Sequence, residues 1–180
     1  LRHAAFQTAS LMTTSGFATA DCNSWTPFAI LILMFCSLVC GCAGSTSGGM
    51  KVDRMLIASK IIRNRMKVQL HPNAVIRTKV DGVVQDEGVQ SLVMTFIVAY
   101  IMTVLLGTII YTIFGLDVVT SLTASISCVS NVGPGFGEVG SLSNYSELPV
   151  VLKLNSTILM LVGRLEIFGF IQLFFLRSWR

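Results

Sequence analysis

Residues 117–149 read DVVTSLTASISCVSNVGPGFGEVGSLSNYSELP and lie between two long apolar segments of the chain. The first part, Asp117–Val129, is typical of a helix that begins near an Asp, but it is too short to cross a bilayer. The flanking apolar segments, at about 89–114 and 149–176, are each long enough to cross one. If both ends of the quoted stretch lie outside the membrane, the chain between them must enter the membrane and return. The stretch therefore predicts a re-entrant pore segment.

The composition favours a membrane protein over a soluble one. Of the 180 residues, 53% are hydrophobic and 12% are charged, whereas a soluble domain carries about 25% charged residues. A soluble protein with one oversized core is the alternative. It would have to bury runs such as Phe28–Val39 and Leu92–Ile113 with few charges to cover them. We therefore expect the lipid bilayer to surround most of the chain.

The apolar segments predict about three transmembrane spans. The first, Trp25–Cys42, begins with an interfacial Trp and a Pro and is then interrupted by a glycine-rich stretch. The second is Val89–Phe114, and the third is Pro149–Leu176. The third is followed by basic and aromatic residues typical of a cytoplasmic interface, namely Arg177, Trp179 and Arg180. We predict an all-α membrane protein of helix–pore-loop–helix repeats, with two re-entrant pore helices besides the spans.

Basic residues indicate which side of the membrane is cytoplasmic. Eight of the thirteen lie between Lys51 and Lys79, so the positive-inside rule places this connection in the cytoplasm. A nucleic-acid patch is the alternative, but no aromatic residue is interleaved with these charges. The end of the connection, HPNAVIRTKVDGVV at 71–84, predicts a turn and a short extended segment.

The chain repeats itself weakly with an offset of 117 residues. The offset pairs Thr8 with Ser125, Ser10 with Ser127, Thr13 with Ser130, Gly16 with Gly133 and Asp21 with Glu138. Each copy then reads short helix, glycine-bearing turn, acidic residue and long apolar helix, as internal repeats of transporters do. The repeat therefore predicts a second re-entrant segment at the start of the chain.

Each copy has a glycine-centred turn after its short helix. We name Thr14–Ala18 (TSGFA) the first pore turn and Asn131–Gly135 (NVGPG) the second pore turn. Their spacing parallels the Thr-Val-Gly-Tyr-Gly filter of potassium channels, in which backbone carbonyls replace the ion's water shell. The C-terminal end of each preceding helix also favours a cation. Taken singly, either glycine could simply form a turn between helices; the occurrence of two equivalent turns favours a filter.

The predicted potassium filter consists of Thr14, Ser15, Gly16, Phe17, Asn131, Val132, Gly133 and Pro134. The ion would be held by the backbone carbonyls of Thr14, Ser15, Asn131 and Val132. Asp21 and Glu138 follow the turns, where negative charge would concentrate cations at an outer mouth. They could equally be solvated loop acids.

A glycine-rich loop and a buried arginine fall at similar depths below the predicted filter. Gly44 follows Gly16 by 28 residues, and Arg164 follows Gly133 by 31. An arginine inside a span is costly and normally faces a cavity or a partner. We predict a gate formed by Gly41, Gly44, Ser45, Thr46, Gly48, Gly49 and Arg164. The alternative is that Arg164 pairs structurally with Glu166 or with carbonyls of the loop.

Several segments resemble the Trk/Ktr/HKT-type potassium transporter superfamily, particularly its TrkH branch. They are TSGFATAD, GCAGSTSGGMKV, HPNAVI, SNVGPGFGEVG and MLVGRLEIFGF. The family has four consecutive helix, pore-loop, helix units in one chain. The resemblance implies that residues 1–64 hold the pore helix, filter and broken second helix of the third unit. Residues 65–88 would be a cytoplasmic connection, and residues 89–180 the complete fourth unit.

The resemblance also implies a function and partners. It implies potassium uptake across a bacterial inner membrane, with the C-terminus in the cytoplasm and K⁺ as the transported ion, without an organic cofactor. It implies a homodimer that binds a cytosolic nucleotide-binding regulatory subunit similar to TrkA or KtrA, and no nucleic acid. Because serine at a filter centre is associated with sodium passage in related plant and fungal proteins, Gly16 and Gly133 favour potassium. Leu1 and the lack of a signal peptide suggest a fragment of a longer protein.

Three other functions are left open by the residues. An alternating-access, ion-coupled secondary transporter would use Gly41–Gly49 as an unwound substrate-binding segment. A sodium-permeable relative would use the same filter with a different preference. A membrane scaffold would leave the duplicated turns unexplained. An enzyme is not expected, because His3 and His71 are far apart in sequence and no carboxylate cluster has metal-ligand spacing.

Overall fold

The computed structural model of the protein describes residues 1–71, 78–80, 82–141, 143–167 and 169. Almost all of its regular structure is helical, as predicted. The helices are α1 (Arg2–Met12), α2 (Pro27–Val39), α3 (Val52–Leu70), α4 (Glu87–Ile113), α5 (Val118–Ser130) and α6 (Val150–Arg164). Short 3₁₀ turns cover Cys22–Ser24, Gly137–Val139 and Tyr145–Glu147, and strands β1 (Lys79–Val80) and β2 (Val83–Val84) form a small antiparallel hairpin.

Helix α4 is the element that best fits a bilayer. Within the described residues it is the one helix long and apolar enough to cross a membrane. Asp86 caps its start by accepting a hydrogen bond from the Gly88 amide. Its buried residues recur every three or four positions and so lie on one side of the helix, which packs against α3, α5 and α6: Val93, Phe96, Tyr100, Val104, Gly107 and Tyr111. Most of its other large apolar side chains are exposed, as expected for a surface covered by lipid.

Helix α5 is packed between α4 and α6. Ten of its residues are buried, and many of them are Ser or Thr. Ser125 donates to the Val104 carbonyl of α4 at 2.7 Å. A Cβ at Gly107 would lie 2.5 Å from the Ser125 hydroxyl and 2.7 Å from Leu159, so only glycine permits this close contact of the three helices. The predicted short helix 117–129 is therefore a buried element packed between other helices.

Two helices end earlier than the predicted spans. Helix α2 ends at Val39 rather than Cys42, because Cys40 adopts a positive φ of 57° and the chain turns there. Helix α6 ends at Arg164, so the prediction of an uninterrupted helix with Arg164 in its interior is wrong. Positive φ values at Glu166 and Ile167 end this helix. The predicted anchor at residues 177–180 lies outside the described residues.

The predicted cytoplasmic connection starts with a helix. Helix α3 continues through residue 64, where a boundary was predicted, because Val52–Leu70 contains no Gly or Pro to end it. The predicted turn and extended segment is present as the hairpin, with Lys79 opposite Val84. Residues 72–77, which hold most of the HPNAVI motif, lie outside the described residues.

Candidate functional site

The two pore turns begin with the same helix ending. In α1 the Ser15 amide donates to the Ser10 carbonyl at 3.0 Å and the Thr14 amide to the Leu11 carbonyl at 3.2 Å. In α5, 117 residues later, the Val132 amide donates to Ser127 at 3.0 Å and the Asn131 amide to Cys128 at 3.1 Å. Both pairs form a Schellman motif, which closes a helix with a left-handed residue. Each pore helix thus directs its C-terminal end into its turn.

The backbone dihedrals of the turns also agree. Thr14 and Asn131 both have φ of 56°, and the glycines two positions later have φ of 73° (Gly16) and 106° (Gly133). Left-handed geometry suits glycine and is tolerated by asparagine, but it strains a β-branched residue such as Thr14. Strain of this kind is often found at functional sites.

A serine in each pore helix holds the far end of its own turn. The Ser10 hydroxyl donates to the Phe17 carbonyl at 2.6 Å, and the Ser127 hydroxyl donates to the Pro134 carbonyl at 2.8 Å. These four residues are pairwise equivalent under the 117-residue offset. The repeat that is weak in sequence is therefore precise in backbone geometry.

The two turns meet in space. A Cβ added to Gly16 would lie 2.4 Å from the Val132 carbonyl oxygen and 3.2 Å from the Pro134 ring. Behind this contact, side chains of both copies form one apolar cluster: Leu11, Cys22, Leu33, Cys40, Val132 and Phe136. The structure thus brings predicted filter residues from the two copies of the repeat together.

The loops that follow the turns are joined by hydrogen bonds. The Asn23 side chain donates to the Gly137 carbonyl at 3.1 Å and accepts from the Gly137 amide at 2.9 Å. Ser141 accepts from the Cys22 amide at 3.2 Å. The predicted mouth acids are both exposed: Asp21 accepts from the Asn23 amide at 3.0 Å, and Glu138 is the middle residue of the 3₁₀ turn Gly137–Val139.

The glycine-rich loop Gly41–Gly49 is closed at its base by its own backbone. The amides of Met50 and Lys51 donate to the carbonyls of Leu38 and Val39, at 3.1 and 2.9 Å. The Val52 amide donates to the Gly41 carbonyl at 3.0 Å. These bonds use carbonyls that the early end of α2 would leave unpaired. The loop is thus a defined structural element between α2 and α3.

This loop lies directly against the start of the second pore turn. A Cβ at Gly48 would be 2.0 Å from the Ser130 carbonyl oxygen. A Cβ at Gly163 of α6 would be 1.9 Å from the neighbouring Val129 carbonyl oxygen. Two glycines from different elements therefore enclose the C-terminal end of α5.

Arg164 and the loop are in contact. The Arg164 Nη1 donates to the Thr46 carbonyl at 2.7 Å, whereas Glu166 forms ion pairs with Lys51 at 2.9 Å and Arg54 at 2.7 Å. Glu166 and the loop carbonyls were the two structural partners considered for Arg164. Among the described residues, Arg164 binds a loop carbonyl and not Glu166. A cavity of about 180 Å³ lies between the loop and the end of α6, lined by Ser45, Thr46, Ser47, Gly48, Gly49, Lys51, Gly163, Arg164 and Glu166.

Sequence reasoning missed two residues that contact the pore turns or their loops. Asn23 binds Gly137, but nothing local distinguishes it from other loop asparagines. Tyr145 donates to the Gly133 carbonyl at 3.1 Å. The sequence did hold one indication of its role: Tyr145 is a single aromatic residue within the polar stretch Ser143–Glu147. An aromatic side chain in a loop usually packs against other residues.

Comparisons with known proteins agree on one family. The TrkH family, described as a cation transport protein, matches residues 1–178. The Trk system potassium uptake protein TrkH of Halomonas elongata is 38% identical over 181 residues, covering all of this chain and 37% of that protein. The Trk system potassium uptake protein TrkI of the same organism is 32% identical, with the same coverage.

A solved structure has the same fold. The crystal structure of the potassium transporter TrkH from Vibrio parahaemolyticus superimposes with a TM-score of 0.86 and 34% identity. The match covers 97% of this chain and 37% of that one. The chain thus spans a little over a third of the length of the proteins that it resembles.

Proposed function

The chain belongs to the TrkH family of cation transport proteins, and we propose that it supplies two of the pore turns through which potassium is taken up into a bacterial cell. One observation carries the proposal: the two pore turns share their helix endings and dihedrals and meet at Gly16 and Val132. A filter needs such equivalence, because its strands surround one ion path. The relatives' names, which specify potassium uptake, support the choice of ion.

The proposed chemistry is replacement of water by main-chain oxygens. The carbonyls of Thr14, Ser15, Asn131 and Val132 would coordinate K⁺, with Gly16, Phe17, Gly133 and Pro134 completing the strands. Both preceding helices direct the negative ends of their dipoles to this region. The exposed acids Asp21 and Glu138 would raise the local cation concentration.

Below the filter, the glycine-rich loop and Arg164 would form the gate. The loop touches the end of α5 at Gly48, and Arg164 binds the loop at Thr46. A guanidinium beside the ion path adds an electrostatic barrier to a cation, and the loop adds a steric one. Opening would require the Arg164 to Thr46 hydrogen bond to break or to move with the loop.

Family membership also supports a proposal for the membrane location and the partners of the whole protein. We propose a multi-pass protein of the inner membrane with a cytoplasmic C-terminus. Its assembly would be a homodimer that binds a cytosolic nucleotide-binding regulatory subunit. Further pore turns, of the kind that the relatives' additional length can hold, would complete the filter.

The relative permeability to K⁺ and Na⁺ tests the filter. In the full-length protein, Gly133→Ser should lower the preference for K⁺, because a side chain at a filter centre changes the carbonyl geometry. The matched control is Gly82→Ser in the hairpin, where φ is also strongly positive at 82° and no atom of the described residues lies within 4 Å of the Cβ position. Unchanged selectivity in Gly133→Ser would show that position 133 does not line the ion path.

A further inference from the structure

The second pore turn contains a peptide unit with a single hydrogen-bonding group. Residue 134 is a proline and has no amide hydrogen, so the unit between Gly133 and Pro134 can be held only through the Gly133 carbonyl. Gly133 has no side chain, and no described atom lies within 4 Å of the position of its Cβ. No side-chain packing at Gly133 itself therefore fixes the orientation of this peptide plane.

The neighbouring groups are held by Ser127. Its carbonyl accepts from the Val132 amide at 3.0 Å, and its hydroxyl donates to the Pro134 carbonyl at 2.8 Å. Both bonds have exact counterparts in the first pore turn. There, the residue equivalent to Pro134 is Phe17, which retains an amide hydrogen. The peptide with only one hydrogen-bonding group is thus specific to the second turn.

Tyr145 supplies the hydrogen bond that holds the Gly133 carbonyl. Its hydroxyl donates to the Gly133 carbonyl at 3.1 Å. The Cys128 thiol, a weak donor 4.0 Å away, and the Ser127 side chain also interact with this hydroxyl. Burial raises the pKa of the Tyr145 phenol well above its usual range, so the hydroxyl keeps its proton and acts as a donor.

The tyrosine is itself held in place from two sides. It starts the 3₁₀ turn Tyr145–Glu147, which Asn144 caps by accepting from the Ser146 amide at 3.0 Å. Lys153 of α6 donates to the Ser146 carbonyl at 2.7 Å. The ring packs against the core formed by α4, α5 and α6. A hydroxyl on so constrained a ring can fix the direction of a carbonyl.

We infer that Tyr145 is a positioning residue, which sets the orientation of the Gly133 carbonyl and through it the ion preference of the second pore turn. The inference rests on the proposed filter function. Selectivity among monovalent cations depends on the number and field of the carbonyls that face the ion. With the Gly133 carbonyl held by Tyr145, the adjoining Val132 carbonyl, which belongs to the proposed coordinating set, cannot rotate to collapse around a smaller ion. Release of the Gly133 peptide would allow that rotation.

The test is Tyr145→Phe in the full-length protein, with K⁺ to Na⁺ permeability as the readout. We expect the K⁺ to Na⁺ permeability ratio to fall about fivefold, because loss of one partly buried hydrogen bond changes the population of a carbonyl orientation by about that factor. The control is Tyr111→Phe, which removes a buried hydroxyl that is bonded to Ser156 at 2.6 Å and lies 3.7 Å from the Cys128 thiol, but does not bind a pore turn. It should reduce thermal stability to a similar extent and leave the permeability ratio unchanged.

Two outcomes would overturn the inference. An unchanged ratio in Tyr145→Phe would show that the hydroxyl does not position the filter. Equal changes in Tyr145→Phe and Tyr111→Phe would show a general loosening of the core instead. Gly133→Ser separates failure of the filter proposal from failure of the proposed role of Tyr145. If it alters selectivity while Tyr145→Phe does not, the filter proposal stands and only the role of Tyr145 is lost.

Discussion

The two pore turns have matching backbones, whereas the long helices that follow them, α2 and α6, end in different ways. In the turns, Schellman bonds, positive φ values and the serine-to-carbonyl bonds all recur at an offset of 117 residues. After α2 the chain forms the glycine-rich loop, closed at its base by backbone bonds. After α6 it instead makes one compact turn at 165–167, again with a Schellman pattern.

This difference shows which part of a repeat is constrained by symmetry. If the two turns form the proposed filter, they must present their carbonyls to the ion path in the same way. Their sequences can then differ, but their backbone conformations cannot. A gate has no such requirement, because one loop can block a path that several strands surround. The two endings also cooperate: Arg164 from the α6 ending binds Thr46 of the loop.

The largest effect is expected at the contact between the turns. Gly16→Ala would place a Cβ 2.4 Å from the Val132 carbonyl oxygen, while Gly133→Ala meets no described atom within 4 Å. Both substitutions carry the strain of a positive φ, so their difference isolates the clash. We expect Gly16→Ala to be less stable by about 2 kcal/mol, measured by thermal unfolding of the full-length protein in detergent. Equal stabilities would contradict the observed meeting of the turns.

An intermediate effect is expected where the two endings meet. Arg164→Ala removes both the bond to Thr46 and the positive charge beside the proposed ion path. Leakage of K⁺ in the closed state should rise about tenfold, as if the barrier fell by about 1.4 kcal/mol. Arg164→Lys keeps the charge and should leak less. If flux assays on the alanine variant detect no added leakage, the gate assignment is wrong.

The smallest effect is expected from the ion pairs that attach the α6 ending to α3. Glu166→Gln breaks the pairs with Lys51 and Arg54, but the glutamate side chain is 47% exposed. Because solvent screens such pairs, we expect a loss of only about 0.5 kcal/mol. Thermal unfolding at low and high salt is the measurement, and the loss should shrink as salt is added. A loss that does not depend on salt would argue against an electrostatic role.

Local patterns were sufficient to predict much of the architecture. The apolar segments predicted α2, α4 and the start of α6, and Asp117 correctly indicated the start of α5, whose second amide donates to its side chain. The glycines at 16 and 133 predicted turns with unusual dihedrals, and both have positive φ. The potassium filter and the gate remain proposals, although the structure brings their residues together.

Other features could not be predicted, because their causes are not local. The end of α6 at Arg164 depends on a left-handed Glu166, a residue type that rarely ends a helix in this way, and that glutamate is bonded to Lys51 and Arg54. The partners of Asn23 and Tyr145 are more than ten residues away in sequence. A loop residue's own chemistry does not reveal which carbonyl it will meet.

The amino-acid sequence by itself determines the lengths of the hydrophobic segments, the positions of the glycines and the duplicated order of elements. Each of these reflects a local preference, either of the backbone for a conformation or of the side chains for water or lipid. Tertiary packing alone decides that Gly16 lies on Val132, that Gly48 and Gly163 enclose the end of α5, and that Arg164 binds Thr46. These contacts join segments more than one hundred residues apart or lie between separate helices. They form only when the helices are close-packed in the folded protein.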